Sequence, residues 1–456
     1  MPTLPGYNVL REHDRSAMLD KIGVDSIEQL LDFIPADLRL QKSLDLPAAM
    51  SEWQLAKHLK QLAAQNENTH SHACFLGGGV YDHHVPEVVN YIASRGEFLT
   101  AYTPYQPEIS QGLLRVLSDF QLVIGRLFDI PVVNCSVYDG ATALAESAWM
   151  AISASGIHRL IVSDSIWPEH LAVLQVYMAN RKVEIEQIGH DPQSGEIDQT
   201  ALKTALQQPA AAVIAQSPNC FGIIEDLKQV IHTTHQNEAL AVIGCYPTSL
   251  GIIEAPGTHG ADIVYAEGQS LGLPLAAGGP TMGMIGTRET LTDYLPGRLV
   301  GETKDIKGES ALALIKQERE QHVRRHKATS HICSNQALMA LRSLVYLSLM
   351  GENGLRRVAT LSAQKAHHLC AELEKIPTVS KSYQGAFFNE FCLDLKVNAA
   401  TLLDKLRQQG FHAGINCSAD HKDGKQRILI AVTETQSLAT LDHFATAFAQ
   451  TIDQIS

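Results

Sequence analysis

Residues 266–280 read AEGQSLGLPLAAGGP. They continue from ADIVYAE (261–267), a short apolar, β-branched run that reads as a strand. Gly268, Gln269 and Ser270 then form a polar turn, and Gly278, Gly279 and Pro280 end the segment on residues that break regular structure. The segment contains no lysine, and none occurs anywhere between Lys228 and Lys304.

Outward from this stretch the same texture repeats. RLIVSD (159–164), KVEIEQIG (182–189), AAVIAQS (211–217), ALAVIGC (239–245) and TMGMIGT (281–287) read as strands. Between them HLAVLQVYMANR and DLKQVIHTTHQ read as helices. Strands and helices alternating at this spacing predict a mostly parallel sheet flanked by helices, in a large α/β domain over 71–330. Residues 1–70 read as an N-terminal helical arm through SIEQLLDFI and SEWQLAKHLKQLAA. A helical region is expected over 308–375. A linking helix and a small C-terminal α+β domain, with strands FFNEFCLDL and RILIAVT, are expected over 331–456.

The chain has 456 residues, enough for two or three domains with ample buried core. Its net charge of −13 argues against nucleic acid as the partner. No run of about 18 apolar residues occurs, so no membrane span is expected. The opening MPTLPGYNVL lacks the basic and apolar regions of a secretory signal. The eight cysteines form no C-x-x-C pair, which reads as reduced thiols in the cytoplasm. Cys135, Cys220 and Cys245 read as buried and inert by default.

Several motifs admit a functional and a plain reading. In AYTPYQPEISQG (101–112), Pro104 and Pro107 stiffen a loop that holds Tyr102, Tyr105 and Gln106 in fixed directions before a helix starting near Ile109. Such a loop suits a binding wall. It is equally a plain loop with Glu108 near a helix N-terminus. In FLGGGVYDHHVPEVV (75–89), adjacent Asp82, His83 and His84 point apart and make poor joint ligands, so turn and cap roles are expected and no metal site. In NCSVYDGATALAESAWMAI (134–152) a helix N-terminus after Asp139–Gly140 could hold a phosphate, but acidic Asp139 reads better as its N-cap. AQSPNCFGIIEDL (215–227) reads as a strand end and turn, with an acidic pair that caps a helix. Lys316, Arg319, Arg324, Arg325 and Lys327 form a basic stretch, either a docking face for an acidic partner or a solvated helix face.

This layout resembles the fold-type-I pyridoxal-phosphate enzymes, in which a lysine forms a Schiff base and a carboxylate pairs with the pyridinium nitrogen. Their acid would end the strand AVIGCYP (241–247), which offers only Gly244, Cys245 and Tyr246. Their lysine would fall within 266–280.

YDHHVPEVV, FLTAYTPYQPEISQG, YDGATALAE, QSPNCFGIIED, EGQSLGLPLAAGGPTMG, PGRLVGET and REQHVRRHKATSHICSNQALMAL together resemble the glycine decarboxylase family, the P-proteins of the glycine cleavage system, in the N-terminal-type (alpha) subunit of their split form. The likeness runs from about residue 5 to the end. Counted back from Gly278–Gly279–Pro280, Gln269 stands at the lysine position. Subunits of this type often carry Val-x-Asp-Pro where this chain has Cys245–Tyr246–Pro247, so Tyr246 stands at the aspartate position. The resemblance implies a subunit of a heteromeric enzyme. Glycine is decarboxylated and its aminomethyl group passes to a lipoylated H-protein. Pyridoxal 5'-phosphate is bound by a homologous beta subunit, and this chain alone binds none. Tyr102, Tyr105, Gln106 and Glu108 would then wall the active site at the subunit interface. Two alternatives are a non-catalytic scaffold that docks the carrier through the basic stretch, and a stand-alone pyridoxal enzyme using Lys304 or Lys307.

Overall fold

The computed structural model describes residues 10–40, 42, 44–315, 321–420 and 424–455. The chain divides into two compact units, one ending at Asn66 and one beginning at Glu67. In the first, helices Glu12–Ile22 and Glu52–Ala63 bury no residue. The second of these opens on a capping box, with Ser51 N donating to Gln54 Oε1 at 2.9 Å. SIEQLLDFI yields only the 3₁₀ turn Glu28–Leu31.

The larger unit carries fifteen strands among the described residues. They are β1 (Ala73–Cys74), β2 (Val132–Val133), β3 (Arg159–Ser163), β4 (Glu184–Ile188), β5 (Ala212–Ser217), β6 (Leu240–Cys245), β7 (Ile263–Glu267), β8 (Gly283–Thr287), β9 (Val300–Lys304), β10 (Ser310–Leu314), β11 (Val379–Lys381), β12 (Glu390–Leu395), β13 (Phe411–His412), β14 (Ile415–Asn416) and β15 (Gln426–Ala431). Seven build the main sheet in the order β2-β8-β7-β6-β5-β3-β4. The pairs β3–β4, β3–β5, β5–β6 and β6–β7 are parallel, and β8 is antiparallel to both neighbours. Every residue of β3 and β5 is buried, as a sheet covered by helices on both faces requires. Helix Gly140–Ser155, buried along most of its length, covers one face with Ile263, Tyr265 and Ile285. The other face packs Ile161, Val213, Ile243 and Val264 against helix Gln111–Phe128.

The C-terminal lobe is an antiparallel sheet, β11-β12-β15-β14, with helices Ala399–Gln408 and Leu438–Ile455 in its core. Helix Ala337–Leu373 serves both cores. Its first half places Met339, Ala340 and Tyr346 in the main-sheet core, and its second half places Ala366, Leu369 and Leu373 in the lobe. It breaks at Gly351 (φ 56°), a conformation that glycine adopts at little cost.

The expected α/β sheet domain and small α+β lobe are both present. The helical expectation over 308–375 fails at its start. β9 and β10 form an antiparallel hairpin there, Ser310 opposite Lys304 and Leu314 opposite Val300. Asp305 Oδ1 closes its turn by accepting from Lys307 N (2.8 Å) and Glu309 N (2.9 Å). SALAL is a short apolar run without polar alternation, which periodicity alone does not assign to strand or helix. Lys316 and Arg319 lie outside the described residues, and Arg324, Arg325 and Lys327 are exposed.

Candidate functional site

A pocket opens at the carboxyl ends of β5, β6 and β7 beneath the C-terminal lobe, the position at which open α/β sheets hold ligands. Its lining includes Tyr81, His170, Gln216, Tyr246, Tyr265, Glu267 and Glu390. Its free volume is about 20 Å³, the size of one water.

Glu267 ends β7 and turns its carboxylate onto the N-terminus of helix Gly140–Ser155. It accepts from Gly140 N (2.9 Å), Gln269 N (2.9 Å) and Met282 N (3.2 Å). One donor from a helix N-terminus and two from the segments flanking β7 and β8 make a cup of backbone N–H groups suited to an anion, and the chain fills it with its own carboxyl. Gly140 permits the approach, since a Cβ there would stand 2.8 Å from Glu267 Cβ. Burial pushes Glu267 up to about 7, against the pull of those three donors. Asp139 is the N-cap, its Oδ1 accepting from Thr142 N at 2.7 Å, as the sequence predicts.

Gln269 is 1% exposed. Its Oε1 accepts from Tyr81 N (2.9 Å), and its Nε2 donates to Tyr81 O (3.0 Å) and Leu273 O (3.0 Å). The amide needs both an acceptor and a donor end, which an ammonium lacks. Tyr246 follows β6 and stacks on Tyr81, with ring centroids 4.4 Å apart, while Phe388 meets its edge at 5.7 Å. Its hydroxyl bonds His83 Nε2, and His83 Nδ1 lies 2.6 Å from Glu434 Oε2. Glu434 Oε1 also accepts from His84 N at 2.8 Å. Burial alone would raise the Glu434 pKa, but the hydrogen bond and charge of His83 outweigh it and hold the group low. Burial, then the Glu434 charge, pushes Tyr246 well above the usual phenol range. Opposite, Glu390 accepts from Gly78 N (2.8 Å) and Tyr81 Oη (2.9 Å), and burial raises it to about 8.

The sequence reading missed His83, Glu267, Glu390 and Glu434. His83 was expected in a turn or cap, whereas it is a buried link between two distant residues. Glu267 was visible in the opening stretch, as an acid ending a strand beside Gly268. Glu390 and Glu434 had no local signal, because only the lobe's placement brings them to the pocket. In the acidic pair, Asp226 caps its helix through Gln229 N (3.1 Å), but Glu225 is buried against Asn219 Nδ2 (2.8 Å) and Ile197 N (2.9 Å). Cys135 and Cys245 are buried, and burial raises both thiols.

The loop 101–112 does not line this pocket. Tyr102, Tyr105, Gln106 and Glu108 are all exposed, Tyr102 at 75%. The helix expected near Ile109 starts at Gln111, after a 3₁₀ turn Pro107–Ile109 that contains Glu108. Tyr105 is held from below by buried Arg298, whose Nη2 donates to its hydroxyl at 2.5 Å and whose guanidinium lies 5.0 Å from its ring. Ile109 and Leu99 add exposed apolar surface beside it. Lys304 and Lys307 are exposed on the β9–β10 hairpin, outside the pocket.

Residues 7–448 match the family model for the glycine cleavage system P-protein. The chain is 42% identical over 444 residues to a protein of Chlorobium chlorochromatii (strain CaD3) named "Probable glycine dehydrogenase (decarboxylating) subunit 1", covering 96% of this chain and 98% of that one. A protein of the same name from Moorella thermoacetica (strain ATCC 39073 / JCM 9320) is 42% identical over 434 residues, covering 95% and 97%. A crystal structure of glycine decarboxylase (P-protein) of the glycine cleavage system, in inhibitor-bound form, superposes with a TM-score of 0.88 at 38% identity, covering 98% of this chain and 100% of that one. Lactobacillus brevis glutamate decarboxylase shares the fold, with a TM-score of 0.68 at 13% identity over 92% of this chain and 96% of its own.

Proposed function

The chain belongs to the glycine cleavage system P-protein family, and from that premise we propose that it is subunit 1 (alpha) of a heteromeric, decarboxylating glycine dehydrogenase. The enzyme removes CO2 from glycine and passes the aminomethyl group to the lipoyl disulfide of an H-protein. A homologous beta subunit holds the pyridoxal 5'-phosphate, and the complex works in the cytoplasm. One observation carries this reading. Gln269, at the lysine position, has both ends of its amide bound to main chain and no freedom to act on a ligand.

The residues present do not fit pyridoxal 5'-phosphate. Glu267 holds the anion cup, the Tyr246 ring stacks in the pocket without supplying a carboxylate, and the free space is about 20 Å³. Pockets for ligands of that size run to roughly 300 Å³ or more. We therefore derive no chemical step through that cofactor in this chain. Its contribution is positional. Tyr102, Tyr105, Gln106 and Glu108 sit on a stiff exposed loop, anchored by Arg298 and edged with apolar surface. Such a surface suits coverage by a partner subunit. There the two phenols and the amide orient glycine or the lipoyl arm, and Glu108 helps fix the loop.

The test is an absorbance spectrum with pyridoxal 5'-phosphate on the lone chain and on the pair. A near-visible cofactor band and glycine-dependent CO2 exchange are expected from the pair alone. A band from the lone chain, mapped by borohydride to one of its lysines, overturns the assignment. Tyr102→Phe and Tyr105→Phe are expected to lower turnover of the reconstituted enzyme. Unchanged turnover in both removes the phenols from the mechanism.

A further inference from the structure

Away from the pocket, Glu67, His72 and His412 meet at the edge of the C-terminal lobe. His412 ends β13, which pairs in parallel with β1, Ala73 opposite Phe411 and Cys74 opposite His412. His72 directly precedes β1, so its ring stacks on that of His412, with centroids 4.7 Å apart and planes 20° apart. Glu67 Oε2 lies 3.8 Å from His72 Nε2. One ligand atom from each of the three residues lies within 4.8 Å of the others.

Hydrogen bonds hold these groups close together. His72 Nδ1 lies 2.9 Å from Ser71 Oγ, and that hydroxyl donates to Asn68 O at 3.0 Å. His72 Nε2 lies 3.2 Å from Arg407 O, and because a carbonyl oxygen only accepts, Nε2 donates to it a proton that a bound ion would displace. The Glu67 carboxylate lies beside that nitrogen, so Glu67, His72 and the Arg407 carbonyl converge on one point. Arg407 does not fill that point with its guanidinium. It takes Glu67 Oε1 and, at 3.0 Å, Asp404 Oδ1, which leaves Glu67 Oε2 turned toward the histidines.

We propose that Glu67, His72 and His412 form a binding site for a divalent ion of the zinc class. Two imidazoles and one carboxylate are a complete protein ligand set for a four-coordinate ion whose fourth position is left to water. Residues 67, 72 and 412 show no ligand spacing in the sequence, since the third lies 340 positions from the second. The bound ion would clamp the two-residue β1–β13 ladder, stabilising the folded chain in proportion to the logarithm of its concentration.

The experiment uses the full chain, free of any affinity tag and stripped with chelator, titrated with Co2+ and then Zn2+. One equivalent of Co2+ is expected to give visible d–d bands without a thiolate charge-transfer band, and Zn2+ is expected to displace it. Zn2+ should raise the unfolding temperature. His72→Gln and His412→Gln should each weaken binding at least about tenfold, as loss of one ligand in three demands. Glu67→Gln, on an exposed side chain that packs in no core, should weaken it too and guards against misfolding of the histidine variants. His13→Gln, on the N-terminal helix, should change nothing. The proposal is overturned by no stoichiometric binding, by equal affinity in all four variants, or by a thiolate band that assigns the ion to cysteines.

Discussion

Glu390→Gln separates the charge of this buried acid from its shape. Glu390 is 2% exposed, and its carboxyl rests between Gly78 N and Tyr81 Oη. A Cβ on Gly77 would stand 1.9 Å from its Oε1, so the chain is shaped around it. Glutamine is nearly isosteric. It keeps an acceptor for Gly78 N, and the Tyr81 hydroxyl can rotate to accept from the new amide. What changes is titration. Burial lifts the folded pKa to about 8, against an ordinary value of 4.5. Because the folded value is the higher one, the group's stabilising contribution is complete below the unfolded value and is lost as pH rises through the folded one. Each unit is worth about 1.4 kcal/mol. Between about pH 5 and about pH 8.5 the wild type should therefore lose about 2–4 kcal/mol that the glutamine variant keeps. Glu267 and Glu225, each raised to about 7 by burial, titrate in both proteins and cancel in the comparison. The assay is urea unfolding of both proteins at several pH values across that window, read as midpoint and slope. Parallel pH profiles would refute the reasoning, because Glu390 would then be ionised at no cost or titrate alike in both states.

Tyr246→Phe should cost about 1–3 kcal/mol, since it strands His83 Nε2 in a buried site. Turnover of the reconstituted enzyme should be unchanged, whereas a loss of turnover without a loss of stability would make Tyr246 a working residue. Gly222→Ala should cost about 3 kcal/mol or more, because its φ is +83° and a Cβ would meet Glu390 O at 1.8 Å. A thermal melt within a degree of wild type would contradict that packing. Asp139→Ala should cost about 1 kcal/mol as a lost N-cap, read by urea unfolding. Charge reversal at Arg324 and Arg325 tests carrier docking: a raised KM for H-protein with intact glycine binding would favour the docking reading of the basic stretch, and an unchanged KM a solvated face.

The sequence by itself determined the layers. The runs LIV (160–162) and AVIA (212–215) are continuously apolar, as strands buried on both faces require, and the helices between them call for parallel neighbours. It also determined that positions 246 and 269 hold Tyr and Gln, because substitution at a motif is a local fact. The Asp139 cap was legible for the same reason, its partner lying three residues away. SALAL carries no periodicity that separates strand from helix, and its pairing with VGETK, visible only in three dimensions, made it a strand. Only the tertiary structure decided what replaces the missing groups. Glu267 reaches Gly140 across 127 positions, His83 reaches Glu434 across 351, and Gln269 reaches Tyr81 across 188. The metal-type cluster likewise needs β1 laid beside β13. Hydrogen bonds between remote side chains leave no periodicity in a sequence. Their partners are set by the docking of whole sheets and helices, and burial then turns those few contacts into shifted acids and fixed rings.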